Sequence, residues 1–495
     1  MSNPTFISNC KTMLIPTPLQ IEQLSPQAVC LEKFALECDE GMKHIESDLR
    51  EIFHFNGTFP VIKVQLNSAL PDDEEYHIKI TADGGLIEAA SYRAGIYARE
   101  TLKQLAVSDC IFPVEIIDRP QLKRRGFHMT VSSIRQGKIT DFLRIIDLMG
   151  KFKLNTLLLE YNNRFPFTGK HEILRSADAL SPDDVRAIEE RCTMWGIEII
   201  PLLQCIGHNG HIGVHPEYQH LFEPGAKVVA DMQLCPLNDD AFKLFCELAG
   251  QIMAVHPNSS YFHIGADETR SLGNCPECAE FAKKYGKGKL YADYINKACK
   301  WVKEQNRRPI IWDDMLGHFP EVIPMVDKDA VIFYWDYWAT GDTIPFWVGR
   351  PAGKFQIADH SINEEDLDEE EKIIFKAFVE KVDMEKTINS SAAAVDFRKY
   401  LETGIPGRYQ SFPFYNFYCD HGFEVWGAPS CCGDQMDDAY GMPNIMRGRK
   451  NIRAFAKKCQ SSGSKGIITT SWHNYPPEIF TLGIMDTAQN SWSDK

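Results

Sequence analysis

YFHIGADETR, residues 261–270, begins as a buried strand and ends in two adjacent carboxylates, Asp267 and Glu268. Burying an unpaired charge is costly, so a pair of acids closing an apolar run marks a place where the chain leaves a sheet for a polar site. Neighbouring residues on a regular strand point to opposite faces. Both acids therefore reach one pocket only if the strand stops there and its pleat is broken.

Outward from this segment, runs of the same kind recur. From Arg125 onward, apolar stretches of strand length alternate with amphipathic helical ones, the pattern of βα units around a parallel sheet. The runs are RRGFHMT (124–130), NTLLLEY (155–161), IEIIPLLQ (197–204), YFHIGADE (261–268), RPIIWDDM (308–315), AVIFYWDY (330–337), FEVWGAPS (423–430) and GIITTSWH (466–473). Eight of them predict a closed (β/α)8 barrel, the TIM fold. Intervening helices are predicted at 138–152, at 181–196, where Ser181 and Asp184 fit an acidic capping box, and at 291–306. A doubly wound sheet is the alternative, disfavoured because no GxGxxG or GxxxxGK[ST] follows any strand. Residues 1–118 read differently. FPVIKVQL (59–66) and YHIKITADG (76–84) are β-rich, a Gly-Gly turn falls at 84 and 85, and apolar residues take helical spacing from 89. The predicted class is α/β, with a smaller α+β domain over 1–118 followed by a barrel over 119–495 that carries an insert at about 345–418. The acid-rich stretch 362–386 within that insert reads as a solvated helix.

The 495-residue chain carries a net charge of −15, which argues against the clustered Lys and Arg that bind nucleic acid. Its start, MSNPTFISNCKTMLIPTPLQ, lacks a basic segment followed by an apolar one, and no stretch of about 18 apolar residues occurs. The expectation is a soluble, cytoplasmic protein with neither nucleic acid nor membrane as a partner. Its fifteen cysteines are scattered through apolar contexts, so free thiols are expected rather than a disulfide framework. Cys275 and Cys278 form a lone CxxC just past the acidic pair. Zinc would need two more ligands, and Cys431 and Cys432 could serve only if the fold brought them near; no metal and no cofactor are expected.

In a barrel of this kind the active site lies at the C-terminal ends of the strands. The run ends collect Glu160 and Tyr161, Gln204 with His208, Asp267 and Glu268, Trp312 with Asp313 and Asp314, Trp335 and Tyr337, Trp426, and Trp472 with His473. Any single Trp can simply cap a barrel core. Four of nine tryptophans set beside acids describe a sugar-shaped pocket, since rings pack on aromatic faces while acids and amides bind hydroxyls. A two-carboxylate retaining glycosidase places acid and nucleophile about 5 Å apart across the bond, and neighbours on one segment are poorly placed to flank a bond in that way. If one of the two is the acid, the nucleophile comes from elsewhere; a substrate 2-acetamido group is one source. An ion-paired structural dyad is the alternative.

HIGADE resembles the H-x-G-x-D-E signature of glycoside hydrolase family 20, the β-N-acetylhexosaminidases, and the likeness runs along almost the whole chain. YHIKITADGGLIEAASYRAGIYARETLKQL resembles that family's accessory α+β domain, while LLLEYNNRFPF, IIPLLQCIGHNGH, WDDM and WDY resemble the intracellular hexosaminidase D-like branch. The resemblance implies an exo-β-N-acetylhexosaminidase that removes terminal β-linked GlcNAc or GalNAc through an oxazolinium intermediate, with Glu268 as general acid and then base and Asp267 steering the acetamido group. This family is an exception to the two-carboxylate scheme, and a nucleophile already attached to the substrate gains a large effective molarity. The like charge of Asp267 is also expected to favour the protonated form of Glu268. By the same resemblance Tyr337 holds the acetamido oxygen, with Tyr334 facing outward. Trp312, Trp335 and Trp472 form the pocket walls and floor, and Arg125, His208 and Glu160 bind the sugar; a barrel-bottom ion pair is the alternative for Arg125. The implied partner is the terminal N-acetylhexosamine of a glycan or glycoconjugate, and a homodimer is compatible with the sequence. Thr130, and His473 with Asn474, depart from the acidic residues common at those places, which leaves the choice between GlcNAc and GalNAc open. Rival readings are an enzyme of this family that releases a disaccharide or cleaves another β-hexosaminide, a silent sugar-binding barrel, and a metal-dependent hydrolase with His208, His263 and the acids as ligands.

Overall fold

The computed structural model describes residues 14–106, 110–131, 137–347, 356–391, 397–432, 443–472 and 475–493. Eight parallel strands close a barrel: Arg124–Thr130, Thr156–Glu160, Glu198–Leu202, Tyr261–His263, Arg308–Trp312, Val331–Tyr334, Glu424–Gly427 and Gly466–Thr469. Each lies inside one of the eight runs read from sequence, and the eighth closes on the first with Ile467 opposite Arg125. Strands covered on both faces read as unbroken apolar runs; Leu157, Leu158 and Leu159 are all fully buried. The predicted helices form at Ile139–Lys151, Pro182–Trp195 and Lys287–Glu304, the second with the Ser181–Asp184 capping box in place.

The bottom of the barrel is plugged by charge. Arg124, Glu198, Arg308 and Glu424 begin the first, third, fifth and seventh strands, the alternate-strand layering that fills such barrels. They pair as Arg124 with Glu198 and as Arg308 Nη1 with Glu424 Oε2 at 2.6 Å. Trp426 belongs to this core, since its Nε1 donates to Glu424 Oε1 at 2.8 Å and its ring meets Tyr261 and Phe333. The expectation that Trp426 stands at the pocket end is corrected accordingly.

Ahead of the barrel, six strands form one mixed sheet in the order Gln20–Gln23, Val114–Asp118, Tyr76–Thr81, Gly84–Ala89, Val61–Leu66, Ala35–Cys38. Helices Lys43–Phe53 and Tyr92–Leu105 accompany it. The tight turn falls on Ala82 and Asp83, two residues before the expected Gly-Gly, and Gly84 at φ +140 opens the next strand. Cys30 and Cys110 face each other across a short antiparallel pair and form a disulfide, a departure from the expected free thiols. Within the insert, the charged stretch is not one helix. Helix Glu369–Phe378 leads into strand Val379–Val382, which runs parallel to Gln356–Asp359, and helix Met384–Ser391 follows.

The sheet and the barrel share a buried ionic seam. Arg125 faces out of the barrel at its bottom, fully buried, with Nη1 2.8 Å from Glu74 Oε2 and Nη2 3.0 Å from Glu74 Oε1. It also donates to Tyr97 and stacks over Trp492 of the last helix. Beside it Lys153 donates to Tyr76 and lies 3.3 Å from Asp118 Oδ2. Burial pushes the Glu74 carboxyl up, but the Arg125 guanidinium outweighs it and holds the group down to about 2. Removing one partner of a buried pair leaves the other charge stranded. Glu74→Gln should therefore lower the unfolding free energy by about 3–5 kcal/mol, whereas Lys289→Ala, which breaks an exposed ion pair to Asp293, should cost under about 1 kcal/mol. Paired urea melts test this; equal losses would show that the seam carries no special weight. Because the folded value lies below the ordinary 4.5, the Glu74 contribution is present above pH 4.5 and disappears as pH falls through about 2.

Candidate active site

Where the fourth strand stops, the backbone turns left-handed. Past His263, Gly265 (φ +68), Ala266 (φ +79) and Glu268 (φ +46) leave the β region. For residues with a side chain this costs about 1–2 kcal/mol each, so the segment needs partners that hold it. Gln204 Oε1 accepts from the Ala266 N–H at 3.2 Å, and Gln204 Nε2 donates to Asp267 Oδ1 at 3.0 Å. The Tyr291 hydroxyl donates to the Ala266 carbonyl at 3.0 Å, the Trp312 N–H to the Gly265 carbonyl at 2.9 Å, and the Glu268 N–H to Asp314 Oδ2 at 3.0 Å. Glycine is required at 265, where a Cβ would stand 1.8 Å from Gln204 Oε1. The pleat is broken, and the two acids turn the same way: His208 Nε2 lies 3.3 Å from Asp267 Oδ2 and 3.4 Å from Glu268 Oε2.

Opposite charges gather on this pair. Burial pushes the Glu268 carboxyl up, but the hydrogen bond and charge of His208, with Arg270 Nη2 at 3.0 Å, outweigh it and hold the group below the usual glutamate range. Burial favours a neutral His208, yet Asp267 and Glu268 raise the ring well above its usual value. The expectation that Asp267 keeps a proton on Glu268 is thus not met in the free site. Its charge acts on Asp314 instead, where burial first and Asp267 second push the carboxyl well above the carboxylate range.

Aromatic rings wall the space beside the acids. Trp472 Nε1 donates to the Tyr337 hydroxyl at 2.7 Å, and its ring lies 5.7 Å from Trp312 and 4.3 Å from His128. Trp335 lies 5.2 Å from Tyr337, both nearly buried. Burial raises the Tyr337 phenol, with the charges of Asp267 and Glu268 adding to the shift. Glu160 accepts from Thr130 at 3.0 Å beside His128; burial pushes it up, but the hydrogen bonds of His128 and Thr130 bring it below its usual range. Tyr334 faces outward, against Phe412, Tyr415 and Phe455.

The structure thus gathers Asp267, Glu268, Glu160, His208, Trp312, Trp335, Tyr337 and Trp472 at the C-terminal end of the barrel. Arg125 is not among them. It begins the first strand and alternates out of step with the inward His128 and Thr130, so it belongs to the seam at the opposite end and is corrected from a sugar ligand to an ion-pair partner. His263 is a core residue, with Nδ1 accepting from the Gly265 N–H at 3.0 Å and its ring against Trp312 and Phe333. His473 and Asn474 lie outside the described residues. Sequence reasoning missed Arg270, which also meets Asp231 Oδ1 at 3.1 Å; it stands two places past Glu268, in the very stretch that marks the site. It also missed the support from Gln204 and Asp314, both of which stood at strand ends without a role.

Residues 123–345 match the family model described as glycosyl hydrolase family 20, catalytic domain. Hexosaminidase D of Bos taurus is 27% identical over 215 residues, spanning 41% of this chain and 60% of that protein. Hexosaminidase D of Homo sapiens is 28% identical over the same length, spanning 41% of this chain and 43% of that protein. The matched part of the chain thus covers less than two thirds of either relative. The fold is similar to the crystal structure of a β-N-acetylhexosaminidase from Bacteroides fragilis, with a TM-score of 0.65 at 16% identity over 97% of this chain and 91% of that one. By its barrel, its signature and this match, residues 123–345 are similar to a glycosyl hydrolase family 20 catalytic domain, and the chain is similar to hexosaminidase D.

Proposed function

We propose that the chain is an exo-β-N-acetylhexosaminidase that removes terminal β-linked GlcNAc or GalNAc from glycans or glycoconjugates with net retention. In this reading Glu268 protonates the glycosidic oxygen, the substrate's acetamido carbonyl oxygen attacks the anomeric carbon, and Asp267 holds the acetamido N–H. Glu268 then takes a proton from the water that opens the oxazolinium ring. Tyr337 steadies the acetamido oxygen between Trp335 and Trp472, Trp312 lies beneath the ring, and His208 and Glu160 meet hydroxyls.

One observation carries the proposal: two consecutive carboxylates reach the same His208 nitrogen, at 3.3 and 3.4 Å. Acids on one side of a pocket suit a reaction whose nucleophile arrives within the substrate, since a protein nucleophile would have to face the acid across the bond. The proposal extends to an accessory role for residues 1–118, a catalytic unit over 119–495, and a cytoplasmic setting. The twelve other described cysteines are free, which supports that setting, while the Cys30–Cys110 disulfide weighs against it. Among the described residues no helix is long and apolar enough to cross a membrane.

Glu268→Gln should lower kcat on an aryl β-GlcNAc glycoside by about 10²–10⁴-fold while leaving the circular dichroism spectrum and melting temperature in place; near-normal turnover would remove Glu268 from the acid role. The unaltered enzyme should act on aryl β-GlcNAc or β-GalNAc and fail on the matching β-glucoside, with Asp267→Asn severely impaired on the N-acetyl substrates; comparable rates on the glucoside would exclude acetamido participation. Arg270 favours the ionised form of Glu268, so Arg270→Gln should raise the Glu268 pKa and move the alkaline limb of the kcat/KM profile to higher pH. A profile that stays fixed or shifts downward would show that Arg270 does not act on the acid.

A further inference from the structure

A second cluster of reactive side chains lies beside the catalytic loop, and the proposed hydrolysis does not use it. The chain after the third strand doubles back on itself: Phe222 and Leu234 pair as an antiparallel bridge, the Glu223 N–H donates to the Gln233 carbonyl at 3.0 Å, and the Cys235 N–H to the Leu221 carbonyl at 2.8 Å. This places Glu223 and Cys235 on adjoining segments. The chain after the fourth strand brings Cys275, the N-cap of helix Pro276–Tyr285, and Cys278 in its first turn, whose N–H donates to Cys275 Sγ at 3.3 Å. Cys235 Sγ lies 3.7 Å from Cys275 Sγ and 3.6 Å from Cys278 Sγ, and the ligand atoms of all four residues fall within 4.8 Å of one another.

These spacings are those of a tetrahedral ion. Zinc–sulfur bonds of about 2.3 Å at tetrahedral angles set neighbouring sulfurs about 3.8 Å apart, whereas a disulfide needs about 2.05 Å. Glu223 completes the set by dividing its oxygens. Oε2 accepts from the backbone N–H groups of Asn274, at 3.0 Å, and of Cys275, while Oε1 is buried without a hydrogen-bond partner. A buried carboxylate oxygen left unpaired is costly, and a cation among the thiolates gives it a ligand role. The side chains that the fold sets beside the isolated CxxC are Cys235 and Glu223, not Cys431 and Cys432.

We propose that Cys235, Cys275, Cys278 and Glu223 bind one zinc ion, a closed structural site that clamps the loop after the fourth strand to the loop after the third. The clamp has a position to hold. Between it and the acids, the Ser271 N–H donates to the buried Gln233 at 2.9 Å, and Arg270 bridges Asp231 to Glu268. The ion takes no part in bond breaking; four protein ligands leave it no open position for water. Its thiolates form by losing protons to solvent as the metal binds.

Elemental analysis of the purified full chain, dialysed against metal-free buffer, should give about one zinc per chain. Cobalt exchanged into the same protein should show thiolate-to-metal charge-transfer absorption with the strong visible bands of a tetrahedral ion. Cys235→Ser and Cys278→Ser should lose the metal and Cys246→Ser should keep it. Stripping the zinc should lower the melting temperature, with recovery on adding zinc back. A wild-type protein with a small fraction of a metal per chain overturns the proposal, as does a peptide map showing Cys235 in a disulfide with Cys275 or Cys278. Full zinc retained after Cys235 and Cys278 are both replaced does so as well. The wild-type metal content and cobalt spectrum decide the matter even if the serine variants fail to fold, and neither depends on the proposed glycosidase activity.

Discussion

The active end of this molecule depends on a pleat that stops. On a continuing strand Asp267 and Glu268 would point to opposite sides of the sheet; the left-handed turns at Gly265, Ala266 and Glu268 put both beside one imidazole. Such backbone is unfavourable in isolation. It persists because its polar groups are engaged from outside the segment, by Gln204 just past the third strand, by Trp312 at the end of the fifth and Asp314 just beyond it, and by Tyr291 from a helix of the outer layer. The barrel therefore defines the site by arresting one strand inside a ring of its neighbours.

The two ends of the barrel use charge for different ends. At the bottom, Arg125 with Glu74 and Lys153 with Asp118 are buried and closely paired, and they weld the first sheet to the barrel. At the top, Arg270 is more than half exposed and meets two acids in a shallow arrangement that water and a ligand can reach. A buried pair is costly to break. An exposed one is readily rearranged, which suits a site that must exchange partners when a ligand enters.

Much of this was legible in the chain because it is written locally. Each barrel strand is a short apolar run, so periodicity locates all eight, and the acids closing the fourth run mark the site without any likeness to a family. What the sequence hid depends on distant partners. Arg125 is assigned to the pocket by resemblance, but its partner Glu74 comes from the turn before strand Tyr76–Thr81 of the preceding sheet, and strand parity shows that it faces away. Trp426 carries the same apolar signal as Trp472, yet the depth of its strand turns one into core and the other into wall. The ionisation of Glu268 followed Arg270 and His208 rather than its neighbour Asp267, since contact distance and not sequence adjacency sets the field. Cys235 lies far along the chain from the CxxC, so the cluster it completes had no local mark.

The charge state of Glu268 reaches beyond the resting site. A carboxyl held ionised by His208 and Arg270 must be loaded before it can donate, so an occupant that requires the neutral acid draws a hydrogen ion from solution as it docks. Affinity for such an occupant then weakens as alkalinity grows. The heat released on its capture includes the ionisation enthalpy of whichever buffer supplies that ion.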